Sequence, residues 1–383
     1  MTADLRWLTA PETDVAAAMA TVRRDSRPRW VPTKRQVLFH VNNCLLLWFV
    51  CIVLFTVGVS VDGVHDGVVQ PSDARALAVC SALFVVWLGG TYLLYRWSTR
   101  PPSPRARLAE WRQTLTALAN GVEPQPATSA TFISLITPTR QGVRSYPRYV
   151  GPGFEFGNLT YRAPRSRRGT DWTYLAVALP APLPHLIFDA TSNDGVRSDL
   201  PAGVARGQQL SLEGDFDRSY RVYAPGGYQV EALYVLTPDV MAALIDTAAD
   251  FNVEIVGDAL VFFRRKPADF GRAEPWLSVD AMLTHVAPRV AAKAERYLDA
   301  RVPGQEEPRV IAKIRAELEN PFVPWQPPPP RIGPDGRRLD IRDRRTGPWT
   351  IVGAIGWFTA LTFLYAVPGI FAFAGFMSIV DGR

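Results

Sequence analysis

The chain sets three long apolar runs against stretches that alternate apolar and polar positions. The runs are Val37 to Val61, Ala76 to Tyr95 and Trp349 to Val380. A helix needs about 20 apolar residues to cross the hydrocarbon core of a bilayer. Each run meets that length nearly free of charge, which a buried helix of a soluble protein rarely sustains, so three transmembrane helices are predicted. Asn42 and Asn43 near the start of the first run need interfacial water or a neighbouring helix. Trp48, Trp87, Tyr92, Tyr95, Trp97 and Trp349 supply interface anchors.

Between the second and third runs the beat is that of a mixed fold. "SPRARLAEWRQTLTALANG" predicts a juxtamembrane helix with Ser103 as N-cap and a stripe of Leu108, Trp111, Leu115 and Leu118. From about Phe132 the period falls to two. "GFEFGNLTYRAP", "DWTYLAVALP", "HLIFDA" and a long "LSLEGDFDRSYRVYA" predict strands. "TPDVMAALIDTAADF" predicts a helix, with Thr237 as N-cap, Pro238 in the first turn and Val240, Met241, Leu244, Ile245 and Ala248 facing the core. "VEIV" and "ALVFF" flank Gly257-Asp258, expected as a two-residue hairpin turn. Two further helices follow, the first broken near Pro288, and then "PFVPWQPPPPR", expected as a semi-rigid spacer. The pattern is that of an α+β domain with a mainly antiparallel sheet.

Charge orients these elements. The chain has 383 residues and a formal net charge of +6. Arg dominates the basic residues, with only Lys34, Lys266, Lys293 and Lys313 as lysines, a bias that suits a GC-rich bacterial genome. Arg23, Arg24, Arg27, Arg29, Lys34 and Arg35 precede the first run, and Arg96, Arg100, Arg105, Arg107 and Arg112 follow the second. Arg337, Arg338, Arg342, Arg344 and Arg345 precede the third, while the loop between the first two carries three Asp and one Arg. Positive charge marks the cytoplasmic side. The expected layout is a cytoplasmic segment 1–36, spans 37–61 and 76–95 joined by an outer loop 62–75, a cytoplasmic α+β domain 96–320, a Pro-rich basic linker 321–348 and a third span 349–380. The layout predicts a multi-pass inner-membrane protein with its N-terminus and main domain inside. Whether the third segment kinks at Pro368 stays open.

Chemistry is sparse. Cys44, Cys51 and Cys80 lie inside apolar runs, and His40, His65, His185 and His285 lack ligand spacing, so neither metal nor cofactor is expected. Glu213, Asp215 and Asp217 alternate. On a strand they share a face that spans about 13 Å, too far for one cation, so a solvated face is expected. Leu212, Phe216, Tyr220 and Val222 would line the other face, interrupted by Arg218. Asp189 near His185 is a weaker acid/base pair. Arg162, Arg165, Arg167 and Arg168 crowd one turn, either as a solvated tip or as a contact for anionic lipid. No nucleic-acid module is present.

Phe216 to Tyr223, Glu231 to Pro238 and the aromatic-ended Ala259 to Phe263, with "FEFGNLTYRAP" and "LPHLIFDA" upstream, carry a resemblance. Over residues 153–265 the chain resembles a family of uncharacterised bacterial membrane-anchored proteins, a domain of unknown function. The resemblance implies spans flanking a cytoplasmic domain and assigns no activity and no site residue.

The leading expectation is a non-enzymatic membrane protein whose domain binds a protein partner or acts as a sensor or scaffold. The bilayer is its first partner, and self-association through the small-residue pair Gly356 and Ala360 is its second. The alternative is a tethered hydrolase using carboxylates among Asp189, Asp194, Glu213, Asp215 and Asp217. Transport is disfavoured, because the spans carry almost no charge to line a path.

Overall fold

The computed structural model describes residues 3–22, 34–60, 70–100, 103–162, 169–194, 198–212, 215–307 and 309–342, with short pieces between 359 and 374. The chain divides into two units, Met1–Arg27 with Pro104–Thr346, and Pro28–Ser103 with Gly347–Arg383.

Among its described residues the second unit holds two helices long and apolar enough to cross a membrane, α3 (Lys34–Val59) and α4 (Pro71–Ser98). They run antiparallel: Phe39 meets Tyr95 at 5.7 Å between ring centres, and Phe49 meets Trp87 at 5.5 Å. Asn42 finds its partners on α4, donating to Thr91 Oγ1 at 2.8 Å and accepting from Trp87 Nε1 at 3.0 Å. The third apolar run falls largely outside the described residues, as do Gly356 and Ala360. Its described part includes helical residues 366–371, and Phe371 packs on Trp48 and Phe55.

The first unit is an α+β domain. Its N-terminal helices α1 (Arg6–Thr9) and α2 (Glu12–Thr21) rest on α5 (Pro104–Ala119). Val15 and Met19 bury against Leu115, flanked by Leu108 and Trp111, whereas Leu118, the fourth residue of the predicted stripe, is exposed. The Asn120 amide clamps the backbone of Asp4 from both sides, at 2.7 and 2.8 Å. Residues 3–22 therefore belong to the domain instead of forming a separate segment.

The sheet orders its strands β1 (Glu123–Pro124), β2 (Val143–Gly151), β3 (Phe154–Tyr161), β4 (Thr170–Ala190), β7 (Tyr220–Tyr223) and β6 (Gln209–Leu210). All of these pairs are antiparallel. The long β8 (Asn252–Arg265) lines the other edge of β4. Here two expectations fail. "DWTYLAVALP" and "HLIFDA" form one strand, and Gly257-Asp258 is no hairpin turn. Gly257, at φ +59°, is a bulge inside β8 that pairs with Leu183. The register of β4 against β8 slips between Ala178 and Leu183 and again by Leu186, so both strands bend together. Pro180, Pro182 and Pro184 occupy this bend, after pairing with β3 ends at Val177 and before pairing with β7 starts at Ile187. A proline there deprives no ladder partner on that edge.

Both faces of the sheet are buried. Leu175, Phe188, Leu260 and Phe262 pack under α8 (Pro238–Ala248), α9 (Ala273–Ala281) and α10 (Ala287–Arg296). Trp172, Tyr174, Val261 and Phe263 face a second core with Leu135, Ile136, Leu200 and Leu339. α8 begins as predicted, although the Thr237 hydroxyl donates to Asp239 at 2.6 Å and accepts no capping bond from a backbone N–H. A π-helical turn, Met282–Val286, breaks the path between α9 and α10 just before Pro288.

The long strand expected across residues 210–224 does not form as one strand. Phe216–Ser219 is a helical turn, α6, between β6 and β7. Phe216 and Tyr220 stack at 5.2 Å and are buried. Positions i and i+4 share a face at either period, so this pair reads equally as strand or helix. Arg218, the interruption on the apolar face, was the sign of the helical turn.

Within the expected linker 321–348, the described residues that follow the polyproline run dock on the domain. Ile332, Gly333, Gly336 and Leu339 are buried, and β9 (Ile341–Arg342) pairs with β5 (Gly203–Val204). A Cβ on Gly336 would stand 2.5 Å from the Tyr228 ring, so only glycine lets this segment lie so close.

Candidate functional site

The described residues among Arg162, Asp215 and Asp217 do not form a common site. Arg162 is exposed at the end of β3, and Arg165, Arg167 and Arg168 lie outside the described residues, as does Glu213. Asp215 is exposed and pairs with Arg218 at 2.9 Å. Asp217 accepts from the Ser211 hydroxyl at 2.6 Å and the Leu212 N–H at 3.0 Å, which closes the turn before α6. Among the described residues no group of three or more His, Cys, Asp or Glu side chains is placed to hold a metal ion.

Asp189 and Asp194 do come together. Both bond Nη1 of Arg221, at 3.2 and 2.6 Å, and Ser198 donates to Asp189 at 3.0 Å. Burial pushes Asp189 up to about 6, against the Ser198 hydrogen bond; Asp194 adds to the rise and Arg221 opposes it. His185 is not its partner. Four residue steps along the strand separate the two by about 13 Å of rise.

His185 instead meets Glu254, at 2.9 Å, with both side chains fully buried. The Leu339 N–H donates to His185 Nδ1 at 2.9 Å. That nitrogen must then be the acceptor, so Nε2 carries the proton and donates to the Glu254 carboxylate. The other oxygen of Glu254 accepts from the Leu135 N–H at 2.7 Å. The group ties β4, β8, the 130–140 loop and the C-terminal segment into one network. Asp299 does similar work. It accepts from Tyr228 at 2.7 Å, Gly333 N–H at 2.8 Å and Arg301 N–H at 3.0 Å. Burial alone would raise the Asp299 pKa; these donors and the Arg301 side chain overcome it and hold the carboxyl below its ordinary value.

These two networks fix one wall of a cleft of about 810 Å³ at the bend of the sheet. Its other walls are the β2–β3 turn around Gly151 and Gly153, β4 from Ala176 to Leu183, β8 from Val256 to Ala259, and Thr131 to Ile133. The size falls within the usual range for small-molecule sites. Phe132, Ile133, Phe154, Val177, Leu183 and Ile332 make an apolar lining. Beneath it Arg148 and Glu155 form a buried ion pair, and Glu155 also accepts from Thr131 at 2.8 Å and Tyr174 at 3.0 Å. Burial would lower the Arg148 pKa, but the Glu155 carboxylate outweighs it and keeps the guanidinium charged. Arg140, Arg331, Arg337 and Arg338 line the cleft from exposed positions and form no ion pair with any described residue. Asp258 is the one other acid in the lining.

Sequence reasoning missed this cleft because its parts are scattered from Thr131 to Arg338. The available signals were the Gly-Pro-Asp-Gly turn at 333–336, wrong for a plain polyproline spacer, and the basic residues around it. No protein-family model, no curated protein and no solved structure matches this chain.

Proposed function

We propose that the protein is a membrane-tethered, non-enzymatic binding module whose α+β domain takes a ligand in the cleft at the sheet bend. The observation that carries this reading is the cleft itself, about 810 Å³ with an apolar lining and four guanidiniums that have no ion-pair partner among the described residues. The alternative, a carboxylate-dependent hydrolase, has less support. Asp189, Asp194 and the Ser198 hydroxyl that donates to Asp189 do not line the cleft, and both carboxylates are tied to the one Arg221.

Helices α3 and α4 serve as the tether in this reading. The chain leaves the first unit before α3 and rejoins it after α4, which supports placing residues 3–22 and the domain on one side of the membrane. The basic flanks make that side cytoplasmic. Reporter fusions after Arg100 and after Ser198 should then signal cytoplasm, and a fusion between Asp62 and Asp73 the outside. The ligand claim is tested by native mass spectrometry of the full chain released from its membranes. Wild type should carry a non-covalent adduct, and Ala178→Trp, which fills the cleft from an exposed lining position, should lose it.

A further inference from the structure

We propose that the cleft binds an organic phosphate, its phosphate held by Arg331, Arg337 and Arg338 and its apolar body lying on Phe132, Phe154 and Val177. This rests on the reading of the cleft as a ligand site. Three guanidiniums without an ion-pair partner among the described residues come from one eight-residue stretch, and Arg140 adds a fourth from another loop. A guanidinium is a planar fork that matches phosphate or carboxylate oxygens in pairs. A carboxylate is satisfied by one such fork. A phosphate monoester carries close to two charges and three acceptor oxygens, so it suits several forks at once.

The stretch is also held in place before any ligand arrives. Gly333 N–H is bonded to Asp299, Leu339 N–H to His185, and Arg337 Nε to the Ile332 carbonyl at 2.9 Å. Anchored backbone on both sides of Arg337 and Arg338 lowers the ordering cost of binding. Arg148 lines the same cleft but is occupied by Glu155, so it is a wall and not a ligand group. Asp258 opposes a second anion at its end of the cleft and suits a hydroxyl there. The apolar lining excludes inorganic phosphate as a sufficient ligand.

The same chemistry occurs in a phospholipid headgroup region and in soluble phosphate esters. The test uses the full chain in phosphatidylcholine nanodiscs, titrated calorimetrically with hexyl phosphate, inorganic phosphate and hexanol. Hexyl phosphate should bind saturably, and each of the other two about tenfold or more weakly. The double variant Arg331→Gln/Arg338→Gln should weaken hexyl phosphate about tenfold or more, as expected for lost charge-assisted bonds. Arg315→Gln, on an exposed helix outside the cleft lining, should leave it unchanged. Nanodiscs doped with phosphatidic acid separate the sources. Competition with hexyl phosphate identifies a membrane headgroup, and its absence identifies a soluble ester. Hexyl phosphate binding that ignores the double variant overturns the proposal. If hexyl phosphate does not bind while Ala178→Trp still removes a native adduct, the phosphate assignment falls and the ligand site stands; if neither effect occurs, both fall.

Discussion

His185 donates its Nε2 proton to Glu254 across 2.9 Å, while the Leu339 N–H, 154 positions along the chain, bonds its other ring nitrogen. One imidazole thus joins the sheet to the segment that carries Arg337 and Arg338. His185→Ala would leave a buried carboxylate without its donor and orphan the Leu339 N–H. Leaving buried polar groups unsatisfied in this way costs about 1–3 kcal/mol each, and more for a charged one. Glu254→Ala should cost a similar amount, and the double variant much less than the sum, since the two residues share one network. Pulse proteolysis of the full chain in nanodiscs over a urea series measures all three. Additive losses would show that the two side chains act separately.

The turn between β6 and β7 allows a sharper comparison. Phe216→Ala should cost about 3–5 kcal/mol, because the buried ring leaves a cavity against Tyr220. Asp217→Asn should cost about 1 kcal/mol, through weaker bonds to Ser211 and Leu212. Asp215→Asn should stay within about 0.5 kcal/mol, its partner being exposed. Equal effects at Asp215 and Asp217 would contradict the helical turn and restore the flat strand face.

What was legible in the sequence was local. Thr237-Pro238 announced α8, Leu108, Trp111 and Leu115 announced the buried stripe of α5, and the apolar runs announced α3 and α4. The errors arose where a local signal has two readings. Phe216 and Tyr220 fit strand and helix alike, and a glycine before an aspartate marks a bulge as well as a turn. The candidate site was not legible, because its determinants are long-range. Nothing near His185 points to Glu254, 69 positions away, and nothing near Arg338 shows that Leu339 is docked.

Acid should affect two carboxylates in opposite directions. Asp189 is raised to about 6 in the fold, so between about pH 4 and 6 the folded state binds a proton that the unfolded chain has released. Its contribution therefore improves as pH falls through 6 and is complete below about 4. Asp189→Asn should flatten stability over that window and raise it at pH 8 by up to about 3 kcal/mol, the equivalent of a shift of about two pKa units. Asp299 is lowered, so its contribution is present above the unfolded value near 3.8 and disappears only at lower pH. Urea midpoints from pH 4 to 8 distinguish them. A steeper rise toward acid in Asp189→Asn than in wild type would reverse the assignment.

Hydrogen exchange tests the cleft most directly. The full chain in phosphatidylcholine nanodiscs is compared with and without saturating hexyl phosphate. The stretches that line the cleft, 131–140, 148–155, 256–259 and 331–338, are far apart in sequence and meet only there. The account predicts slower exchange in these stretches together, with α8 unchanged. Slowing confined to α3 and α4, or none in the 331–338 stretch, would contradict it.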